Sequence, residues 1–302
     1  MQPATAGPDL VLAGSARSGT SSLAAQLGAH PQIDAGKIKE SNYFSRHLER
    51  GPDWYESLYT ERRAGVVRLD ASTSYTSPKY PHALAALTNA APDALVIYAV
   101  RQPIDRAISH YLLRRHYFQI EEAETFGMAV SQSRFYTETG DYSRWLPELR
   151  NTLTAGRLLV VPFEVITSNP NEVTAQVCQQ LGLAPPPDAE QQGRRHRNDV
   201  VRYRNRAARD LARLLRRSPA YPWLRSTLGP GRTRKLRGII TRDAELPSPA
   251  EVLASCDEAQ RALLRELVDR AGAAVSEHLA SQDARLDLSW GRQSFCFQDV
   301  NR

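Results

Sequence analysis

The chain has 302 residues, 41% hydrophobic and 24% charged, which is enough to bury one sizeable core. A net charge of +6 favours anionic ligands but is too modest to imply nucleic-acid binding. The three cysteines, Cys178, Cys256 and Cys296, form no C-x-x-C pair and argue against a zinc site or a disulfide framework. No apolar stretch is long enough to span a bilayer, and Met1 to Pro8 lacks the basic and apolar regions of a secretory signal; the expectation is a cytoplasmic protein with a flexible N-terminus over 1–8.

Short β-branched runs recur between helical stretches. Leu10–Ala13 reads as the first strand, Val66–Leu69 as the second, Leu95–Val100 as the third and Leu158–Val161 as the fourth, each suited to burial on both faces. Tyr80–Asn89, Pro103–Arg114 and Glu172–Leu181 read as helices, the last with Val173, Val177 and Leu181 on one stripe. This alternation predicts an α/β chain: a three-layer, P-loop-like fold with a central parallel β-sheet flanked by helices. Ligands in such sheets sit beyond the carboxyl ends of the strands, where Gly14, Asp70 and Arg101 fall. The last third, 194–302, reads as mostly helical and as part of the same single domain. Arg194–Arg217 is arginine-rich with an apolar stripe, and Ser248-Pro249 is a helix start. The final helix carries Leu263, Leu267, Ala271, Val275 and Leu279 at four-residue spacing.

Two segments carry chemistry. Gly14-Ser15-Ala16-Arg17-Ser18-Gly19-Thr20-Ser21-Ser22 joins a strand to a helix start rich in hydroxyls, an anion cradle in which backbone N–H groups and the helix dipole converge. Its glycines have the spacing of a nucleotide-triphosphate loop, G-x-x-x-x-G-K-[ST], but Thr20 stands where the Lys belongs and Arg17 is the only cation. The loop therefore predicts a phosphate-like ligand held without that Lys and without a metal ion. The second segment runs from Arg101 at a strand end to Ser109, about two turns into the next helix. The guanidinium and hydroxyl could grip a second phosphate; alternatively, Arg101 pairs with Asp105 and Ser109 is a solvated helix residue.

Together these segments resemble the sulfotransferases that use 3′-phosphoadenylyl sulfate (PAPS), above all the carbohydrate branch with the heparan sulfate enzymes and their bacterial relatives. Gly14–Leu23 followed by His30-Pro31 is similar to the family's 5′-phosphosulfate loop, and Arg101, Ser109 and Tyr111 to its 3′-phosphate motif. Lys39-Glu40-Ser41-Asn42-Tyr43-Phe44, Trp54-Tyr55, Asp70-Ala71-Ser72-Thr73-Ser74-Tyr75, Val160–Ile166, Leu181-Gly182-Leu183 and Asp287–Trp290 follow in the family's order. Three positions depart from it. Arg17 stands for a frequent Lys, Ala71 for the heparan-type Lys and Asn42 for a frequent His; the last two face the sugar in that branch. Either Arg194–Arg206 or Arg232–Arg242 matches the family loop that closes over the nucleotide.

The resemblance implies PAPS as donor, adenosine 3′,5′-bisphosphate (PAP) as product, no metal requirement and a small-molecule or glycan hydroxyl as acceptor. It implies nucleotide contacts from Arg17, Ser18, Gly19, Thr20, Ser21, Ser22, Arg101 and Ser109, with Arg17 acting on the leaving group and Glu40 as general base. His47, His82, His110 and His116 are rival bases. Tyr117, Phe118, Phe126, Phe135, Tyr136, Tyr142 and Trp145 could line an acceptor pocket or belong to the core. The competing reading is a P-loop small-molecule kinase, which needs a Lys at position 20. A nucleic-acid binder built on 194–217 lacks a zinc, helix-turn-helix or stacking-aromatic signature.

Overall fold

The computed structural model describes residues 7–185 and 246–281, together with the backbone of 202–203 and 241–242. Among these, five strands form one parallel sheet: β1 (Leu10–Gly14), β2 (Ile33–Asp34), β3 (Val67–Asp70), β4 (Leu95–Val100) and β5 (Leu158–Pro162), in the order β2-β3-β1-β4-β5. The four runs read as strands all pair. The two-residue edge strand β2 is an addition, too short to show a pattern.

Helices cover both faces. They are α1 (Thr20–Leu27), α2 (Tyr43–Arg46), α3 (Gly51–Glu56), α4 (Ala83–Ala90), α5 (Pro103–Leu112), α6 (Phe126–Gln132), α7 (Phe135–Thr139), α8 (Tyr142–Thr152), α9 (Phe163–Ser168) and α10 (Pro170–Leu181). Beyond the gap lie α11 (Pro249–Ala254) and α12 (Glu258–Ala280). Strand side chains alternate between the faces. Val11, Ala13, Val96, Tyr98 and Val160 pack with α4, α8 and α12, whereas Leu10, Leu12, Ile97, Ala99 and Leu159 pack with α1 and α10. Each fully buried leucine here contributes about 1.5–3 kcal/mol by leaving water. A third cluster ties α5 and α6 to α11 and α12 through Ile104, Ile108, Phe126 and Leu264.

Several expectations change. Gly7 and Pro8, placed in a flexible N-terminus, are buried, and Arg62 Nη2 donates to the Gly7 carbonyl at 2.6 Å. Leu263 is 41% exposed and Leu264 takes its place in the core. Successive four-residue steps advance beyond the helical period, so one three-residue step, 264 to 267, restores the stripe. Ser248 does start a helix, in a capping box with Glu251, but Asp257 caps a separate one. Within the arginine-rich stretch, Arg202–Tyr203 is not helical: it pairs antiparallel with Thr241–Arg242. Valines and a tyrosine at 200–203 favour strand over helix locally. The rest of that stretch, the remainder of both candidates for the closing loop, Cys296 and Asp287–Trp290 lie outside the described residues.

Candidate functional site

The site lies at the carboxyl edge of the parallel sheet, where the chain leaves the neighbouring strands β1 and β4 at the point where the strand order reverses. Gly14 is obligatory there: it has φ +148°, and a Cβ would sit 2.1 Å from Thr76 Oγ1. Gly19 (φ +82°) precedes α1, where a Cβ would crowd Phe163 and Ile166. By helix geometry the N–H groups of Gly19, Thr20 and Ser21 have no intrahelical acceptor, leaving them available to an anion. Ser21 is half-buried, and Ser22 is exposed with its N–H bonded to the Gly19 carbonyl at 3.0 Å.

Ser18 is held within the loop. It is fully buried, its Oγ lies 2.6 Å from Ser15 Oγ and its N–H is bonded to the Ser15 carbonyl at 3.3 Å. Both groups bond inside the loop and brace its shape. Tyr142, at the start of α8, braces the same region. Its hydroxyl lies 3.3 Å from Ser15 Oγ, accepts from Arg101 N–H at 3.0 Å and donates to the Arg101 carbonyl at 2.8 Å.

The two predicted anion sites are directly joined. Arg17 Nε donates to Ser109 Oγ at 3.0 Å, and Arg101 Nη1 donates to the Arg17 carbonyl at 3.3 Å. Arg17 itself has φ +78°, a conformation uncommon for a residue with a side chain. Gln102 caps α5 by accepting from Asp105 N–H at 2.8 Å, with Pro103 in the first turn, which fixes Ser109 relative to Arg101. Arg101 and Asp105 do not come within ion-pair distance; burial raises the Asp105 pKa and the Arg101 charge opposes that shift. Arg101 lies over the Phe163 ring at 4.4 Å, and neither it nor Arg17 has a carboxylate at ion-pair distance among the described residues. Burial, and next the like charge of Arg101, lower the Arg17 pKa. Two guanidiniums with no carboxylate at ion-pair distance, beside free helix N–H groups, suit a doubly anionic ligand.

Glu40 sits beside β3, its N–H bonded to the Ala71 carbonyl at 3.1 Å and its φ at +64°. Its carboxylate accepts from Lys39 Nζ (2.8 Å), Thr73 N–H (3.2 Å) and Thr73 Oγ1 (3.3 Å). The segment rests on Asp70, fully buried, which accepts from Ser41 (2.8 Å), Ser72 (2.6 Å), Tyr55 (2.9 Å) and Tyr75 (2.7 Å). Burial raises the Asp70 pKa against the opposing pull of these donors. Ser72 Oγ in turn accepts from Asn42 N–H at 3.0 Å. Asn42 is locked between the Glu40 carbonyl (2.7 Å) and Ser74 Oγ (2.6 Å), and Ala71 is buried.

Of the histidines, His47 is half-buried beside Glu49 and His82 precedes α4. His116 lies in the wide turn after α5. His110 Nδ1 accepts from Arg106 at 3.2 Å; burial, then the charges of Arg106, Arg114, Arg17 and Lys79, hold its pKa well below the ordinary value. His30 is structural, with Nδ1 accepting from Gln32 N–H and Nε2 bonded to the Ala184 carbonyl. Phe126, Tyr136, Tyr142 and Trp145 are core, whereas Phe118 is 46% exposed. Among the described residues no three His, Cys, Asp or Glu side chains converge on a metal position, and no helix is long and apolar enough to cross a membrane.

A sulfotransferase family model matches residues 43–187, which include Arg101 and Ser109. Mouse heparan sulfate glucosamine 3-O-sulfotransferase 3B1 is 27% identical over 184 residues, 58% of this chain and 46% of that protein. Human heparan sulfate glucosamine 3-O-sulfotransferase 6 is 33% identical over 108 residues, 34% of this chain and 30% of that protein. The chain thus spans less than half the length of these curated relatives. A crystal structure of a sulfotransferase from Alicyclobacillus acidocaldarius superposes with a TM-score of 0.54 at 24% identity, over 68% of this chain and 90% of that one. In sequence this chain is similar to sulfotransferases over residues 43–187, and in fold it is similar to a solved sulfotransferase.

Proposed function

We propose that the chain is a PAPS-dependent sulfotransferase acting on a hydroxyl of a sugar, glycolipid or secondary metabolite. The observation that carries this reading is the link Arg101–Arg17–Ser109, two hydrogen bonds that tie the loop after β1 to the β4–α5 unit. A triphosphate kinase is less well supported, because Thr20, at the start of α1, cannot supply the expected lysine. The two described cysteines, Cys178 and Cys256, are free and buried, which fits a reducing, cytoplasmic setting.

When bound, the donor supplies a sulfuryl group on a phosphate leaving oxygen. Arg17 and the amides of Gly19, Thr20 and Ser21 hold its 5′ side and stabilise the charge that develops there, with the hydroxyls of Thr20, Ser21 and Ser22 as further contacts. Arg101 and Ser109 hold the 3′-phosphate. Ser109 Oγ accepts from Arg17 Nε and keeps its own proton to donate. Glu40 takes the acceptor proton as the new O–S bond forms and the S–O bond to phosphate breaks. The hydroxyl network on Asp70, through Ser41 and Ser72, holds the segment that carries Glu40.

An acceptor screen with PAPS, read by the mass shift of a sulfated product, tests the reading. Sulfated product with a sugar or small hydroxyl acceptor is expected. Phosphorylated product with ATP, and none with PAPS, would replace it by the kinase.

A further inference from the structure

Arg106 is the most deeply buried cation of the site, at 0% exposure on α5. Nη1 donates to the Ala16 carbonyl (3.3 Å) and to His110 Nδ1 (3.2 Å), and Nη2 to the Tyr136 carbonyl. Nε has no partner, and no carboxylate pairs with the guanidinium among the described residues. Burial lowers its pKa to about 10, which leaves it charged at neutral pH. A buried charge without a counter-ion is costly to keep. A hydrophobic residue would fill the same stripe of α5, between Ile104 and Ile108, without that cost.

What the charge holds is informative. The Ala16–Arg17 peptide is planar and trans, so a carbonyl aimed at Arg106 turns the Arg17 N–H in the opposite direction. The next carbonyl, that of Arg17, is held by Arg101. Two guanidiniums thus grip two successive carbonyls of the loop and fix Arg17 in its left-handed conformation.

We propose that Arg106 is a positioning residue for the 5′ side of the donor site. It presets the Ala16–Arg17 peptide from beneath, and the bound anion is its missing counter-charge. The proposal rests on the donor reading above. It also gives Gly140 a purpose: a Cβ there would lie 2.9 Å from Arg106 Nε and 3.6 Å from Pro103 Cβ, although its backbone (φ −100°) accepts any residue. Gly140→Ala therefore displaces the guanidinium without removing it.

The test is calorimetric titration of PAP and of adenosine 3′-monophosphate, which lacks the 5′ group, into wild type, Arg106→Lys, Arg106→Gln and Gly140→Ala. Loss of charged hydrogen bonds to the loop should weaken PAP about ten-fold or more in Arg106→Gln, less in Arg106→Lys and Gly140→Ala, with adenosine 3′-monophosphate changed less than about two-fold in all three. Should Arg106→Gln fail to fold, the lysine and Gly140→Ala variants carry the same comparison. A parallel loss for both nucleotides, or undiminished PAP affinity in folded variants, would overturn the role. A wild type that binds neither nucleotide would overturn the donor reading itself, and the proposal with it.

Discussion

The loop after β1 and the β4–α5 unit carry three guanidiniums, Arg17, Arg101 and Arg106, none at ion-pair distance from a carboxylate among the described residues, whereas the ground beside β3 is built on a carboxylate, Asp70, that four hydroxyls satisfy. One side is electrostatically incomplete and suits an external anion. The other is closed on itself and suits a group held still. A transfer reaction uses both kinds of ground: strong fields where charge develops, and a fixed base where the proton leaves.

The difference can be broken from either side. Glu40→Gln should lower kcat by roughly 10²–10⁴ with PAP affinity unchanged, measured with labelled PAPS. A rate within a few-fold of wild type would remove Glu40 from the proton transfer. Arg17→Ala should slow turnover by roughly 10²–10³ while leaving part of the nucleotide affinity, since the interaction strengthens as charge develops. Unchanged turnover would reject its leaving-group role. Asp70→Asn should leave donors around Asp70 without acceptors and cost about 1–3 kcal/mol in urea unfolding. Its effect on PAP binding should be slight, because the closed side does not hold the nucleotide.

The smallest expected effect is a pH dependence. His110 is neutral in the fold, with its pKa depressed by burial and by neighbouring cations, while the unfolded chain takes up a proton as pH falls through the ordinary value of 6.5. Unfolding is therefore favoured below that pH, and stability should decline from neutral toward acid. Urea midpoints for wild type and His110→Asn, measured on both sides of that value, should converge at acid pH. An unchanged gap would show that His110 does not titrate on unfolding.

How much of this was legible in the sequence follows the range of the interactions. β1, β4 and β5 were readable because strands buried on both faces become unbroken apolar runs. The loop was readable because Gly14 and Gly19 answer local backbone needs. Arg101 and Ser109 were readable as a pair within one strand–helix unit. Tyr142 was not, because its hydroxyl serves Arg101 across 41 residues of chain and Ser15 across 127. Arg106 left one faint signal, a charge on the apolar stripe of α5, but its partner Ala16 lies 90 residues away.

The central claim is that one cleft holds a nucleotide through two phosphate sites joined by Arg17. Calorimetric titration of PAP against adenosine 5′-monophosphate, in wild type and Arg101→Ala, tests it most directly. Wild type should prefer PAP by about 10-fold or more, the scale of a guanidinium–phosphate pair, and Arg101→Ala should erase most of that preference. Equal affinity for the two nucleotides in wild type, or a preference that survives without Arg101, would contradict the account.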